Sequence, residues 1–90
     1  RDMADTDREF GLPNGLTVDD KNLIYVVDTL RCTIHVFNDK GKRLAELSDV
    51  GAADGLFYFP SNIDYLGKGQ FVVSDTYNQR IQIIEITAAR

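Results

Sequence analysis

A single offset relates the two halves of this chain. Pro13 and Pro60 stand 47 positions apart. The same offset carries Phe10 onto Phe57, Leu16 onto Ile63, Val26 onto Val73 and Asp28 onto Asp75. It also carries Thr29 onto Thr76, Ile34 onto Ile81 and Val36 onto Ile83. No gap is needed from Phe10 to Phe37. One such match means nothing, but a run of them in fixed register is a duplicated unit. A period near this value belongs to propeller blades and to some helical repeats, so the local pattern must decide.

The local pattern is that of strands. Leu16-Thr17-Val18 alternates, and Leu23 to Val27 is a short β-branched and aromatic run suited to burial on both faces. Thr33 to Phe37 makes a third strand and Lys42 to Leu47 a fourth. Asp19 to Asn22 and Asn38 to Gly41 supply the turns between them. The second copy predicts strands over Asn62–Tyr65, Phe71–Ser74 and Arg80–Ile86. Its first turn is Leu66 to Gly69, where Gly67 and Gly69 suit a hairpin needing positive φ. Four short strands in a meander make one blade. Only Thr87 to Arg90 follow the last strand, so the second copy lacks a counterpart to strand four. The expected organisation is an N-terminal arm over 1–9, a first blade over 10–54 and a truncated second blade over 55–90.

The residues Phe57-x-x-Pro60-Ser61-Asn62-Ile63 followed by Phe71-Val72-Val73-Ser74-Asp75-Thr76-Tyr77-Asn78-Gln79-Arg80-Ile81-Gln82 resemble an NHL repeat. That pattern has an aromatic and a proline before the first strand. An Asp ends the second strand, and Asn, Arg and Ile open the third. The first copy matches at Phe10, Pro13, Gly15, Leu16, Val26, Asp28 and Ile34. It departs at Arg31, Cys32 and Thr33, where the second copy has Asn78, Gln79 and Arg80. The resemblance implies an all-β chain of antiparallel propeller blades, commonly six to a ring. It also implies roles that range from protein-binding platform and RNA-binding domain to sensor, lyase or hydrolase. Fold alone does not choose among them.

Two blades leave flat faces and strand edges open, because such repeats bury a continuous core only by stacking. Ile24 and Val26 point to one face and Tyr25 and Val27 to the other, so both faces call for neighbours. The expected partner is the chain itself, three copies giving six blades, or else missing blades of a longer chain. An opening at Arg1 rather than Met fits a processed or excised piece. The stretch Arg1 to Glu9 is a candidate to complete the second blade of a neighbour.

Composition narrows the function. The 90 residues carry a net charge of -4, which argues against binding a nucleic-acid backbone. No apolar run approaches the roughly 18 residues of a membrane span, and nothing resembles a secretory signal. The compartment is therefore undetermined. Cys32 is the only cysteine, so no disulfide within the chain is possible. No nucleophile motif, zinc spacing or calcium loop is present, and no catalytic residue, metal or cofactor is expected.

In a meander, the approach to strand one and the loop between strands two and three share one rim. That rim gathers Arg8, Leu12, Asn14, Tyr58, Ser61 and the loops Thr29–Cys32 and Thr76–Gln79. Loops on a rigid scaffold commonly bind, so Arg31, Tyr58, Tyr77 and Asn78 are the candidate partner-binding residues for another protein or a small ligand. Asp28 and Asp75 close their second strands and are expected to hold turns, Asp75 also pairing with Arg80. His35 occupies the polar slot of Gln82. Asp19 and Asp20 read as solvated charges. An alternative function is a lyase or hydrolase with a metal or acidic site at the ring axis, where Asp64 alternates with Ile63 and Tyr65 and faces the channel. RNA binding through Arg8, Arg31, Lys68 and Arg80 is a third.

Overall fold

The computed structural model describes residues 11–47 and 56–86, and folds them as two antiparallel sheets. The first holds β1 (Pro13–Val18), β2 (Ile24–Asp28), β3 (Thr33–Phe37) and β4 (Arg43–Leu47) in sequence order. The second holds β5 (Pro60–Gly67), β6 (Gln70–Asp75) and β7 (Arg80–Glu85), with a 3-10 turn over Thr76–Asn78 between the last two. These are the seven strands the sequence predicts. The expected arm, Arg8 and Phe10 lie outside the described residues.

The duplication persists in detail. In both sheets the pairing slips one residue after the proline, between Pro13 and Gly15 and between Pro60 and Asn62. A proline has no N–H to give the ladder, and a bulge absorbs the mismatch. The innermost strands therefore begin at the prolines, earlier than alternation alone suggests. Cys32 and Gln79, equivalent by the offset, both adopt left-handed φ, at 58° and 55°.

The first hairpins differ in chemistry. Gly67, Lys68 and Gly69 all take positive φ, which two glycines make inexpensive. The other blade uses Asp19 instead. Its Oδ1 accepts the N–H groups of Lys21 (2.8 Å) and Leu23 (3.0 Å), and its Oδ2 accepts the Tyr25 hydroxyl at 2.9 Å. Asp19 is buried, which corrects its reading as a solvated charge. Its carboxylate is the scaffold of the turn.

One core lies between the sheets. Tyr25, Val27, Ile34 and Val36 of the first sheet meet Ile63, Phe71 and Val73 of the second. The Tyr25 and Phe71 rings are 4.3 Å apart, and Tyr65 backs Phe71 at 5.0 Å. Polar contacts fix the stacking. Thr29 Oγ1 donates to the Pro60 carbonyl at 2.7 Å, and Tyr65 N–H donates to Thr17 Oγ1 at 3.1 Å. Where β1 crosses β5, a Cβ on Gly15 would stand 2.5 Å from Asn62 Oδ1 and 3.2 Å from Asn62 Cα. Glycine lets the inner strands approach there.

Candidate functional site

The rim predicted from the sequence is built on two carboxylates. Asp28 ends β2 and is wholly buried. Its oxygens accept the N–H groups of Gly11 (2.9 Å), Leu12 (2.9 Å) and Arg31 (3.2 Å), which ties the approach to β1 to the β2–β3 loop. Asp75 does the same in the second blade. It accepts Tyr58 N–H at 2.8 Å, Asn78 Nδ2 at 2.8 Å, Arg80 Nε at 2.9 Å and Gln82 Nε2 at 3.1 Å. Burial pushes both carboxyls up. The hydrogen bonds outweigh it: Leu12, Gly11, Arg31 and His35 on Asp28, and Tyr58, Asn78, Arg80 and Gln82 on Asp75. Both groups are held below the ordinary aspartate range.

His35 joins the first carboxylate to a second layer that the sequence did not disclose. Arg43 Nη1 lies 2.9 Å from His35 Nδ1, and Asp28 Oδ2 lies 3.1 Å from Nε2. A guanidinium only donates, so the network assigns the lone pair to Nδ1 and the proton to Nε2. Arg43 also donates to Glu46 at 3.2 Å. An Asp–His pair suggests a proton relay. Here the imidazole is fully buried, and its second nitrogen is taken up by the Arg43 guanidinium. The pair binds β2, β3 and β4 together. It is more than the generic polar slot that alignment with Gln82 suggests.

Above these carboxylates sit the aromatic residues of the rim. Tyr58 stacks on Phe59 at 5.0 Å, and Tyr77 meets Tyr58 edge-on at 5.5 Å and Phe59 at 4.8 Å. The sequence singled out Tyr58 and Tyr77 but missed Phe59. Phe59 takes a left-handed φ of 53°, an uncommon conformation for a bulky residue. Its N–H donates to the sulfur of buried Cys32 at 3.2 Å, so the β2–β3 loop of the first blade props the cluster. Arg31 is half exposed, with Nε 4.0 Å from Asp28 Oδ2. Asn78 is turned inward onto Asp75. Asp64 is remote from this cluster. It is exposed on β5 and receives the Thr17 hydroxyl at 3.4 Å.

Two meanders in register, each closed by a carboxylate at the end of its second strand, call for comparison with repeat families. The family model of the NHL repeat matches residues 10–37 and 57–84. The chain belongs to the NHL-repeat family. No curated protein matches it. The two matched segments begin at the aromatic before the proline, and they cover the first three strands of each NHL blade. They leave out β4, the strand that brings Arg43 to His35. On the opposite rim a depression of about 320 Å³ separates the NHL blades' first hairpins, with Lys21 and Lys68 at equivalent positions. Among the described residues no group of His, Cys, Asp or Glu is placed to hold a metal ion, and no helix is long and apolar enough to cross a membrane.

Proposed function

We propose that this chain is a non-catalytic NHL-type propeller module that self-assembles and binds a protein partner on the rim carrying Tyr58, Phe59, Tyr77 and Arg31. The observation that supports it is the aromatic cluster. Tyr77 is 66% exposed although it touches two other rings. Exposed aromatic residues held rigidly are the usual anchors of protein interfaces, because they bury much area at little entropic cost. The backbone beneath them is fixed by Asp75 through Tyr58 N–H, and by Cys32 through Phe59 N–H. A left-handed non-glycine residue at such a place fits a surface shaped for contact. The net charge of -4 turns the reading away from a phosphate backbone.

The test is peptide selection. A random displayed peptide library is selected on the immobilised protein, and the winners are titrated against Tyr77→Ala and Tyr58→Ala. Loss of roughly tenfold or more in affinity, with an unchanged far-UV spectrum, is the expected result for a hot-spot residue. Peptides that bind both variants as well as the parent would remove the rim from consideration.

A further inference from the structure

The contact between the blades pairs unlike faces. Matching registers, Leu16–Val26–His35 in one sheet and Ile63–Val73–Gln82 in the other, define an equivalent front face on each blade. Thr17–Tyr25–Val36 and Asp64–Val72–Ile83 define the back faces. Inside the chain, the back of the first blade (Tyr25, Val27, Ile34, Val36) lies on the front of the second (Ile63, Tyr65, Phe71, Val73), with Ile84 alongside.

The repeat offset carries this interface onto the two outward faces. The back of the second blade presents Val72, Ser74, Ile81 and Ile83 where the first has Tyr25, Val27, Ile34 and Val36. The front of the first blade presents Leu16, Val18, Ile24 and Val26 where the second has Ile63, Tyr65, Phe71 and Val73. Ile81 and Ile83 are 68% and 63% exposed, and Leu16 is 63% exposed, whereas Ile34 and Val36 are at 0% and Ile63 at 3%. Positions that make the core inside the chain are therefore exposed (Leu16, Val18, Ile81, Ile83) or half-buried (Ile24, Val26, Val72, Ser74) at its two ends. Ser74 is the one polar residue among these eight, and Asp64 stands beside them where the first blade has Thr17.

We propose that the back of the second blade takes the front of the first blade of a second copy of this chain, so that copies assemble head to tail. This rests on the self-assembly part of the function proposed above and adds its geometry. Polar contacts select the arrangement. Within the chain, Thr17 Oγ1 accepts Tyr65 N–H and donates to Asp64. Shifted by one repeat, Asp64 stands in the place of Thr17. The second copy then offers Val18 N–H in the place of Tyr65 N–H, and the Thr17 hydroxyl in the place of Asp64. A carboxylate accepts from both, so each donor is met with the roles exchanged. The close crossing again pairs one glycine with one asparagine, now Asn62 against Gly15 of the second copy. Because the Asn62 Cβ then stands where a Cβ on Gly15 would be 3.2 Å from a backbone Cα, the strands part there by a few tenths of an ångström. The Thr29 bond to the Pro60 carbonyl has its counterpart in Thr76 Oγ1 and the Pro13 carbonyl of the second copy, for which the Thr76 hydroxyl turns away from Ser61, its partner within the chain. A back-to-back dimer would instead bring Asp64 against Asp64. A head-to-tail contact repeats until it closes, and the six blades typical of the resemblance need three copies.

The experiment uses single-cysteine variants of the whole chain, Thr17→Cys and Asp64→Cys, with buried Cys32 kept. The double variant is the control: Thr17 and Asp64 touch within one chain, so it forms a disulfide internally. Each single variant is refolded alone or mixed with the other, sized by light scattering and oxidised. The expected result is an assembly of about three times 10.1 kDa and a disulfide-linked pair from the mixture only. Ile83→Lys, at a position exposed in the single chain, is expected to reduce the mass to one chain without loss of β structure. Cross-linking within either single variant alone, or an assembly whose mixture stays unlinked while the control links, overturns the head-to-tail contact and leaves self-assembly standing. A folded monomer of the parent chain overturns both.

Discussion

Replacing Asp75 with asparagine tests the physical centre of the second blade. The amide matches the carboxylate in size but has one acceptor oxygen. Oδ2 of Asp75 faces Asn78, Arg80 and Gln82, while Oδ1 faces Tyr58 N–H. The better orientation of the new side chain keeps its oxygen on the three donors and turns its NH2 against Tyr58 N–H. A backbone donor of a part-buried bond is then opposed rather than met, a loss of about 1–3 kcal/mol. The Arg80 contact falls from an ion pair to a neutral bond, about 1 kcal/mol more. A neutral amide is easier to bury, which offsets part of this. The net expectation is a loss of about 2–3 kcal/mol at pH 7. Urea unfolding followed by far-UV circular dichroism at one fixed protein concentration measures it. A slope near 1 kcal/mol/M makes the midpoint fall by about 2–3 M. The pH dependence has a definite sign. The folded Asp75 carboxyl lies below its ordinary value of 3.8, so its contribution is complete above that value and is lost as pH falls through the folded one. The gap between parent and variant therefore narrows below about pH 4. A variant within about 0.5 kcal/mol of the parent at pH 7, or a gap undiminished at about pH 2, would refute the reasoning.

Phe71→Ala removes the ring that fills the space between Tyr25 and Tyr65, and unfolding by urea is expected to show a loss of about 3–5 kcal/mol. His35→Gln copies the second blade, where Gln82 donates to Asp75, and is expected to lose under about 1 kcal/mol; His35→Leu takes one buried partner from Asp28 and one from Arg43 and is expected to lose about 2–3 kcal/mol in the same assay. Gln79→Gly relieves a left-handed φ of 55° at an exposed loop position and is expected to raise the urea midpoint by the equivalent of about 0.5 kcal/mol.

The sequence disclosed what depends on periodicity and turn chemistry. Val26 and Val27 point to opposite faces because strand period is two, and Asp28 and Asp75 recur because each blade must close the same loop. What it did not disclose depends on approach from afar. Asp19 looks solvated beside Asp20 and Lys21, and only the folded hairpin brings the Tyr25 hydroxyl back onto it. His35 matches Gln82 in register, yet Arg43 reaches its ring only through the β3–β4 pairing, which slips between Val36 and Phe37. Phe59 carried no sign of its left-handed backbone. Leucine fills the equivalent position, and neither residue type favours that region.

The divergence between the copies separates architecture from detail. Both keep a carboxylate at the end of the second strand, and both direct backbone N–H groups at it from the approach to the first strand. The remaining donors come from matching places but differ in kind: His35, backed by Arg43, stands where Gln82 does, the Arg31 N–H stands where the Asn78 amide does, and Arg80 has only Thr33 as its counterpart. The acceptor is fixed because the backbone donors are fixed; main-chain geometry recurs with the fold whatever the side chains do. The side-chain donors are free to change provided they fill the acceptor's remaining capacity. The outer faces obey a similar rule. Their residues differ from those inside, Val72 for Tyr25 and Leu16 for Ile63, yet apart from Ser74 and Asp64 the positions named above remain apolar. Surface released from packing has no reason to stay apolar, since a charge there would cost nothing in an isolated chain. Ile81, Ile83 and Leu16 are exposed and still apolar, the pattern that the proposed head-to-tail neighbour requires.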